Sequence, residues 1–527
     1  MFRTKLWSAT ALTVAAAVGG VQASASDLVF GRSTPQSVLD PHYTVQPTGV
    51  AIATDIYDRL VRFGLDLQLE PGLALSWKPL DEMTWEIKLR PEVVFHDGST
   101  FDAADVAYSL ERASSMPESP SPMSVNVAAV ERVEVIDDLT LKIVTKEPTP
   151  LLMNQIGHVF ITPSELGDAT TADFNSGAAA IGTGPYKFVS WIPNENVEVE
   201  AFRDYWGPAP EWDRVRMQFI TDPAARTAAL LSGQVDVIDA VPPADVPMLK
   251  ANADLTVFSA PSVRLLYMHL DLANDNSPWI TDTEGNPLEV NPLKDPKVRK
   301  ALSLMLNRQA IADRIMDGLA APAGQVAAPG QGGFSDNMPP DPYDVDQARA
   351  LLAEAGYPDG FGMTLHCATD RDVNTAESAQ AIAQMWARGG IKINAVDCQP
   401  YSVYSSAATK GEFSAFIWGR NDSSPDTSLN LRNGYMTYDA DRGFGSYNRG
   451  RYSNQEFDAL VAAALQEFDQ ETRYQLLRDA TDIMIGEHGV IPLYFLNATW
   501  ATRGGITFDA NMAVNSMIQY VHPADAM

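Results

Sequence analysis

Basic residues are scarce in this 527-residue chain: 38 Lys and Arg stand against 67 Asp and Glu, giving a formal net charge of −29 at pH 7. Such an excess of negative charge repels phosphate backbones and anionic membrane surfaces, so nucleic-acid binding is disfavoured. The rest of the composition is that of an ordinary globular protein, with 45% hydrophobic and 20% charged residues. The length exceeds what one hydrophobic core holds, which predicts two or three domains.

Recognisable catalytic motifs are also missing. The sequence has no Gly-x-Ser-x-Gly, His-Glu-x-x-His, Cys-x-x-Cys, Walker A or Gly-x-Gly-x-x-Gly pattern. The glycines of residues 182–185 do not predict a phosphate cradle, because Pro185 lacks a backbone donor and no helix is predicted to follow. The histidines are scattered singly, which is typical of structural roles: His42, His96, His158, His269, His366, His488 and His522. We therefore predict a protein without catalysis, cofactor or metal.

Long hydrophobic runs are absent, and the apolar stretch at residues 6–21 is broken by Thr and Gly. Arg3 and Lys5 precede it, and Ala23-Ser24-Ala25 follows it, which is the layout of a secretory signal peptide. Removal of residues 1–25 takes away two bases and no acids, which lowers the net charge from −29 to −31. No Cys lies near the cleavage point, so we expect a soluble, exported, periplasmic protein without a lipid anchor.

The only cysteines are Cys367 and Cys398. Residues 363–367 and 391–398 are predicted strands on either side of a helical run at 376–388. In a βαβ unit the two strands are parallel, and adjacent strands lie about 4.8 Å apart, within reach of a disulfide. An exported protein meets an oxidising compartment, which favours the bridge. Two free buried thiols stay open, because the sequence does not fix the order of the strands.

Strands and helices alternate along the mature chain, which predicts an α/β protein. A composition break at residues 274–292, rich in Asn, Asp, Pro and Gly, predicts a crossing between domains. Helical spacing predicts a helix over residues 49–63. The apolar run at 413–418 is predicted to be a buried strand that stops at Gly419 and leads into a polar loop ending at Asp426. Such loops at the carboxyl ends of strands are typical ligand-binding positions.

Ordered segments along nearly the whole mature chain resemble the extracytoplasmic solute-binding proteins of family 5, the peptide and nickel type that serves ABC importers. Each match is weak alone, but their order is specific for the family. The matching segments are Leu39-Asp40-Pro41, Leu69-Glu70-Pro71-Gly72-Leu73-Ala74, Phe95-His96-Asp97-Gly98, Gly182-Thr183-Gly184-Pro185-Tyr186, Ser232-Gly233-Gln234-Val235-Asp236-Val237, Asp295-Pro296-Lys297-Val298-Arg299-Lys300-Ala301 and Ile491-Pro492-Leu493.

This resemblance implies the type II periplasmic binding protein fold, with two α/β lobes that close on a solute and an extra subdomain inserted into the first. Lobe I is expected at residues 26–60, 180–272 and 493–527, its inserted subdomain at 61–179, and lobe II at 273–492. Separate lobes joined by a few crossing segments permit hinge closure around a ligand.

Arg371 is the predicted carboxylate-binding residue. It follows the strand at 363–369 and precedes a helix, so it falls at the carboxyl edge of the predicted sheet. An Arg there can hold a carboxylate with two parallel hydrogen bonds. An ion pair with Asp370, Asp372 or another nearby acid is the alternative.

The loop after the next strand supplies the other expected contacts. Peptide-binding relatives carry an ammonium-binding Asp four residues before a Pro, whereas this chain has Asn421 there and Asp422 one residue later. Asn accepts a hydrogen bond but supplies no charge, so the resemblance to binders of free-amino peptides is weakened at this point. Two alternatives stay open for Trp418, which either stacks against the ligand as part of the cavity wall or packs in the core. The expected ligand-binding residues are Arg371, Trp418, Gly419, Asn421, Asp422, Arg32 and Tyr43.

Two hypotheses follow from the sequence. The first is a monomeric periplasmic protein that captures a peptide or peptide-like solute and delivers it to an inner-membrane ABC permease; an oligosaccharide or an opine-like conjugate is the alternative solute. The second is an exported hydrolase or chaperone-like protein on the same scaffold.

Overall fold

The fold is given by a computed structural model that describes residues 27–45, 50, 52–116, 119, 123–514 and 516–524. The predicted signal peptide, residues 1–25, lies outside the described residues. Among the described residues, no helix combines the length and apolar character that crossing a bilayer requires.

The strands of the described part are numbered in chain order. They are β1 Asp27–Arg32, β2 Val61–Phe63, β3 Leu69–Pro71, β4 Ala74–Pro79, β5 Thr84–Leu89, β6 Val130–Asp137, β7 Thr140–Thr145, β8 Tyr186–Ile192, β9 Asn196–Ala201, β10 Arg214–Phe219, β11 Val237–Asp239, β12 Leu255–Leu270, β13 Ile280–Thr281, β14 Ala320–Pro322, β15 Gly362–Ala368, β16 Lys392–Gln399, β17 Ala415–Asn421, β18 Ile491–Arg503, β19 Ile506–Phe508 and β20 Val521–Pro523.

The α-helices are numbered in the same way. They are α1 Ala53–Ile56, α2 Ala103–Ser114, α3 Leu152–Ile156, α4 Thr171–Asn175, α5 Pro223–Ser232, α6 Val246–Ala251, α7 Pro296–Leu304, α8 Arg308–Arg314, α9 Val345–Glu354, α10 Thr375–Gly389, α11 Tyr401–Thr409, α12 Ser428–Gly434, α13 Gln455–Ala464 and α14 Gln470–Gly486.

A large mixed sheet runs through the molecule in the order β13-β15-β17-β12-β18-β11-β1-β10-β9-β8, with β16 added to β15 and β14 to β18. We call the side built on β1 and β8–β11 the first lobe, and the side built on β13 and β15–β17 the second lobe. A separate sheet, β4-β5-β7-β6, lies in the part predicted as an insertion. Its buried Ile87 and Ile143 belong to the same hydrophobic core as Phe30 and Val215 of the first lobe, so the two share one core.

Two long strands, β12 and β18, pass from one lobe to the other and pair antiparallel with each other. Their register shifts between Pro261 and Leu265 and again between Leu266 and Tyr267. At the first shift β12 carries the extra residues, and at the second shift β18 does. These β-bulges bend and twist the strands where the lobes meet.

The predicted βαβ unit forms from β15, α10 and β16. β15 is buried along its whole length, as expected of a parallel strand covered on both faces. β15 and β16 pair in parallel with Cys367 opposite Cys398, and the structure joins these cysteines by a disulfide with a Cα–Cα distance of 4.4 Å.

Two local predictions are wrong. Of the helix predicted over residues 49–63, the structure shows α1 at Ala53–Ile56. Val61–Phe63 instead forms strand β2, because it pairs with β3. The strand predicted to stop at Gly419 continues to Asn421, because β17 remains paired with β12 as far as Arg264 opposite Asn421. Tertiary pairing outweighs the local pattern in both places.

The turn at residues 182–185 leads directly into β8. A Cβ on Gly182 would lie 2.1 Å from the carbonyl oxygen of Ile56, so the glycine there permits close backbone approach. The ring of His96 lies 2.9 Å from the carbonyl oxygen of Gly184 and accepts from the backbone N–H of Gly182. His96 therefore has a structural role in this turn.

Candidate functional site

A cavity of about 1060 Å³ opens between the two lobes. Arg32, Arg59 and Asp239 line it from the first lobe, and Arg371 and Asn421 line it from the second. This volume is at the upper end of the range for small-molecule sites, which are about 300–1,000 Å³. A site between lobes can take hold of a solute from both sides.

Arg371 lies in the loop after β15, at the edge where its side chain reaches the cavity. The side chain is 27% exposed, and its guanidinium lies 4.1 Å from the centre of the Tyr401 ring and 5.3 Å from that of Trp418. Its one hydrogen bond within the described residues is a long one, 3.5 Å from Nη2 to the carbonyl oxygen of Gly419. Burial, and then the charge of Arg264, lower the pKa of Arg371 to about 10, so the group is charged at neutral pH.

The position of Tyr401 beside Arg371 follows from a helix cap. The backbone N–H of Tyr401, at the start of α11, donates to the carboxylate of Asp370 at 2.6 Å. Asp370 thus holds α11 against the Arg371 loop, and no ion pair between Asp370 and Arg371 is found within the described residues. The nearby disulfide joins the two strands from which these segments emerge.

Asp372 is the acid nearest to Arg371, but it is held by another arginine. Arg264 donates from Nε to Oδ1 of Asp372 at 2.8 Å and from Nη2 to Oδ2 at 2.9 Å, whereas Nε of Arg371 lies 3.9 Å from Oδ2. This is a two-point Arg–carboxylate pair, which is geometrically specific. Arg371 thus presents donors to the cavity that the protein itself does not saturate.

Gly419 makes room for this ion pair. A Cβ at position 419 would lie 2.4 Å from Oδ2 of Asp372 and 2.7 Å from Nη2 of Arg264. Gly419 does not line the cavity among the described residues. It acts by permitting the close approach of the pair.

Trp418 lies behind the cavity wall rather than in it. The residue is 5% exposed and belongs to a second-lobe core. Its ring stacks on Tyr404 with the centroids 5.6 Å apart, and the guanidinium of Arg449 lies 4.0 Å from its centre. Of the two alternatives for Trp418, the structure favours core packing. The Trp418 ring also lies beside the guanidinium of Arg371 and supports it.

The loop after β17 divides its polar residues between cavity and interior. Asn421 is exposed and lines the cavity, and Ser423 lines it as well. Asp422 turns inward: its Oδ1 accepts from the backbone N–H of Ser424 at 3.2 Å, and its Oδ2 is buried without a partner in the described structure. Burial raises the pKa of Asp422 to about 6, so this carboxyl is poorly placed to receive an ammonium group in the cavity.

Contacts from behind fix this loop. Nε2 of Gln331 donates to the carbonyl oxygens of Asp422 at 2.8 Å and Ser424 at 3.0 Å. Arg473 pairs with the buried Asp426 at 3.0 Å. The loop therefore presents Asn421 from a rigid base, which favours a precise polar contact.

In the first lobe Arg32 lines the cavity, but most of its guanidinium is already hydrogen-bonded within the protein. Its Nε donates to Oδ2 of Asp239 at 3.1 Å, and its Nη1 donates to the carbonyl oxygen of Ser516 at 2.7 Å. Tyr43 is partly buried and is not among the described residues of the cavity lining. Val45 of the same segment lines the cavity, whereas Tyr43 does not.

Sequence reasoning missed several charged residues of the wall, among them Arg59, Asp58 and Arg264. Arg264 stands inside the apolar segment of β12, and a lone charge in such a segment was the available signal. Asp58 is buried and accepts from Nε1 of Trp206 at 2.7 Å and from Oγ1 of Thr183 at 3.2 Å. No sequence signal links Asp58 to Trp206.

Groups of His, Cys, Asp or Glu arranged to hold a metal ion are absent from the described residues. The buried histidines are kept neutral: burial lowers the pKa of His42 and of His96 to about 4 and that of His158 to about 3.

A two-lobed α/β protein with a polar cavity between its lobes is the architecture of a periplasmic solute-binding protein. The family model for bacterial extracellular solute-binding proteins, family 5 (middle region), matches residues 68–441. The chain belongs to this family and is the solute-binding component of an ABC importer.

Relatives agree along nearly the whole length. The glutathione-binding protein GsiB of Pectobacterium atrosepticum is 30% identical over 488 residues, covering 90% of each chain. An ABC transporter substrate-binding protein of Listeria monocytogenes has a similar structure, with a TM-score of 0.82 at 22% identity, covering 95% of this chain and 99% of that one. The binding protein AgaA of A. tumefaciens, solved with agropinic acid, gives a TM-score of 0.73 at 26% identity, covering 94% and 98%.

Proposed function

We propose that the cavity between the lobes binds a peptide or peptide-like solute and that Arg371 holds a carboxylate of this solute. The observation that carries the proposal is the unsaturated guanidinium of Arg371 at the cavity wall, since its nearest acid is already held by Arg264. Asn421 and Arg32 are the other proposed contacts from the predicted set. Trp418 and Gly419 support the wall, and Asp422 and Tyr43 belong to the loops that carry it.

We propose the division of the chain that the family resemblance implies. Residues 26–60, 180–272 and 493–527 form lobe I, residues 61–179 its inserted subdomain, and residues 273–492 lobe II. Closure of these lobes around the solute encloses the cavity, and the closed form docks on an inner-membrane permease. We propose a monomer that works in the periplasm after cleavage near Ala25, without a lipid anchor.

A non-peptide solute is the second candidate. It is supported by Asn421, which stands where peptide-binding relatives carry an ammonium-binding acid, and by AgaA, whose structure contains agropinic acid. An oligosaccharide is a weaker choice, because a neutral sugar offers no carboxylate to the unsaturated guanidinium of Arg371. A hydrolase or chaperone-like activity has no supporting group of residues in the described cavity, so we propose that the protein performs no covalent chemistry.

Mass spectrometry of the solute released from purified, denatured protein tests the ligand class directly. Thermal shift measurements with glutathione and a panel of tripeptides then test the site. We expect Arg371→Ala to abolish the ligand-induced rise in melting temperature with little effect on the apo protein. Arg314→Ala, at an exposed arginine outside the cavity, is the matched control. Full stabilisation of Arg371→Ala by ligand removes Arg371 from the site, and steady product formation by the pure protein contradicts a binding role.

A further inference from the structure

Arg59 is a first-lobe counterpart of Arg371. It lines the same cavity, and its guanidinium lies 4.1 Å from the centre of the Phe160 ring. A backbone bridge between Arg59 and Phe160 fixes this arrangement. The Nε atom is buried without a partner, and no hydrogen bond or ion pair of Arg59 side-chain atoms is found within the described residues.

The adjacent acid, Asp58, favours the charged form of Arg59 at a distance but makes no ion pair with it in the described structure, and burial lowers the pKa of Arg59 to about 10. The carboxylate of Asp58 is taken up by Trp206, Thr183 and Arg62, whose Nη2 lies 3.4 Å from Oδ1. The neighbouring His158 is neutral at physiological pH, because burial and the charge of Arg59 lower its pKa to about 3. A partly desolvated cation without a counter-ion is costly unless something else supplies the negative charge.

The cavity therefore has one unsaturated arginine on each lobe. Its buried carboxylates, by contrast, are already engaged: Asp58 by its donors in the first lobe, Asp239 by Arg32, and Asp372 by Arg264. Asn421 adds no charge. Glu70, Glu211 and Asp509 also line the cavity, and the last two pair with His522. Arg59 and Arg371, the two lining arginines without a close carboxylate partner of their own, match an acidic solute.

We propose that the solute carries two separate carboxylate groups, one bound by Arg371 of the second lobe and the other by Arg59 of the first. This inference rests on the proposed function and narrows it to acidic short peptides or acidic amino-acid conjugates. A dicarboxylate of sufficient length bridges the lobes, and it binds the closed form better than the open form because only the closed form offers both arginines together.

Isothermal titration with matched probes tests this inference. The probes are glutathione, which has two carboxylates, its glycyl monoethyl ester, and the tripeptides Ala-Ala-Glu and Ala-Ala-Gln. The proteins are wild type, Arg59→Gln, Arg371→Gln and the exposed-surface control Arg314→Gln. We expect the wild type to bind the dicarboxylate member of at least one pair about 10- to 100-fold more tightly than its partner, as for one charge-assisted contact.

The two arginine variants distinguish the carboxylates. Each Arg→Gln change is expected to raise the Kd for the dicarboxylate by a similar factor. With the blocked probe, the variant that lacks the arginine for the blocked carboxylate should bind as the wild type does, whereas the other variant should still bind more weakly. Arg59 has no hydrogen-bond or ion-pair partner for its side chain in the described structure, so the melting temperature of Arg59→Gln without ligand is expected to stay level or rise. If Arg59 had a structural role, this melting temperature would fall. Arg59→Lys keeps the charge without the planar fork and gives an intermediate Kd; it also serves if Arg59→Gln does not fold.

Three results contradict the inference in different ways. Equal binding of the acidic and blocked members of both pairs overturns the two-carboxylate solute and leaves the proposed function standing. Undiminished affinity of Arg59→Gln for a dicarboxylate removes Arg59 from the site. Failure of every probe to bind a folded wild-type protein overturns the proposed peptide-like function together with the inference.

Discussion

Replacement of Gly419 by Ala tests the role assigned to the Arg264–Asp372 pair. The added methyl group would lie 2.4 Å from Oδ2 of Asp372, whereas ordinary contacts of this kind are about 3.5 Å or more. The carboxylate must therefore move by about 1 Å, which takes at least one of its bonds to Arg264 beyond hydrogen-bonding distance. The two bonds are 2.8 and 2.9 Å long in the wild type.

The expected loss of stability follows from burial of the pair. The side chains of Arg264 and Asp372 are 17% and 9% exposed, so a disrupted pair leaves charges that solvent hydrates poorly. One charge-assisted hydrogen bond contributes about 1.5–3 kcal/mol, and breaking a buried pair costs about 3–5 kcal/mol. We expect Gly419→Ala to lose about 2–4 kcal/mol, a fall of about 4–12 °C in the midpoint of the affected transition.

Differential scanning calorimetry with and without ligand is the appropriate assay. Gly486→Ala is the matched control, because a Cβ at Gly486 would meet nothing within 4 Å and an exposed helix end accepts Ala readily. The ligand affinity of Gly419→Ala should also fall, since the displaced Asp372 approaches the guanidinium of Arg371. A midpoint and affinity equal to those of Gly486→Ala would refute the close-approach explanation.

Three further predictions concern stability and the support of Arg371. Burial lowers the pKa of His158 to about 3 from an unfolded value of about 6.5. The neutral, buried His158 therefore contributes fully to the free energy of unfolding above pH 6.5, and this contribution is lost as the pH falls toward 3. The melting temperature of His158→Phe should decline less than that of wild type between pH 7 and pH 4. The disulfide of Cys367 and Cys398 closes a loop with a sequence separation of 31, and loop entropy predicts that its reduction costs about 3–4 kcal/mol in a denaturant titration; thiol titration of unreduced, denatured protein should find no free thiol. Tyr401→Ala should weaken ligand binding several-fold, as expected for loss of a cation–π contact of about 1 kcal/mol, while Tyr401→Phe should bind normally in the same calorimetric titration.

The elements that sequence predicted best are those with strong local patterns. β15, α10 and β16 form a βαβ unit within a residue or two of the predicted bounds, because apolar strands and an amphipathic helix each carry their own periodicity. The helix predicted at 49–63 did not form in full, because its second part pairs with β3, and such pairing is not encoded locally.

The candidate site was predictable only in part, for the same reason. Arg371 comes three residues after the end of β15, and Asn421 is the last residue of β17, so their place at the cavity could be inferred from sequence order. The inward turn of Asp422 depends on Gln331, which is 91 positions away in the chain. The position of Arg59 depends on Phe160 in a similar way, and one sequence without its fold gives no reason to connect them.

The paired bulges of β12 and β18 have a mechanical consequence. Because the extra residues lie first on one strand and then on the other, the ladder is regular on both sides of residues 261–267 and irregular between them. We expect a change in the angle between the lobes to be absorbed as local torsion there, while each lobe keeps its own pairing. Arg264 lies within this span and holds Asp372 at the cavity wall, so such a torsion would also move the ion pair beside Arg371.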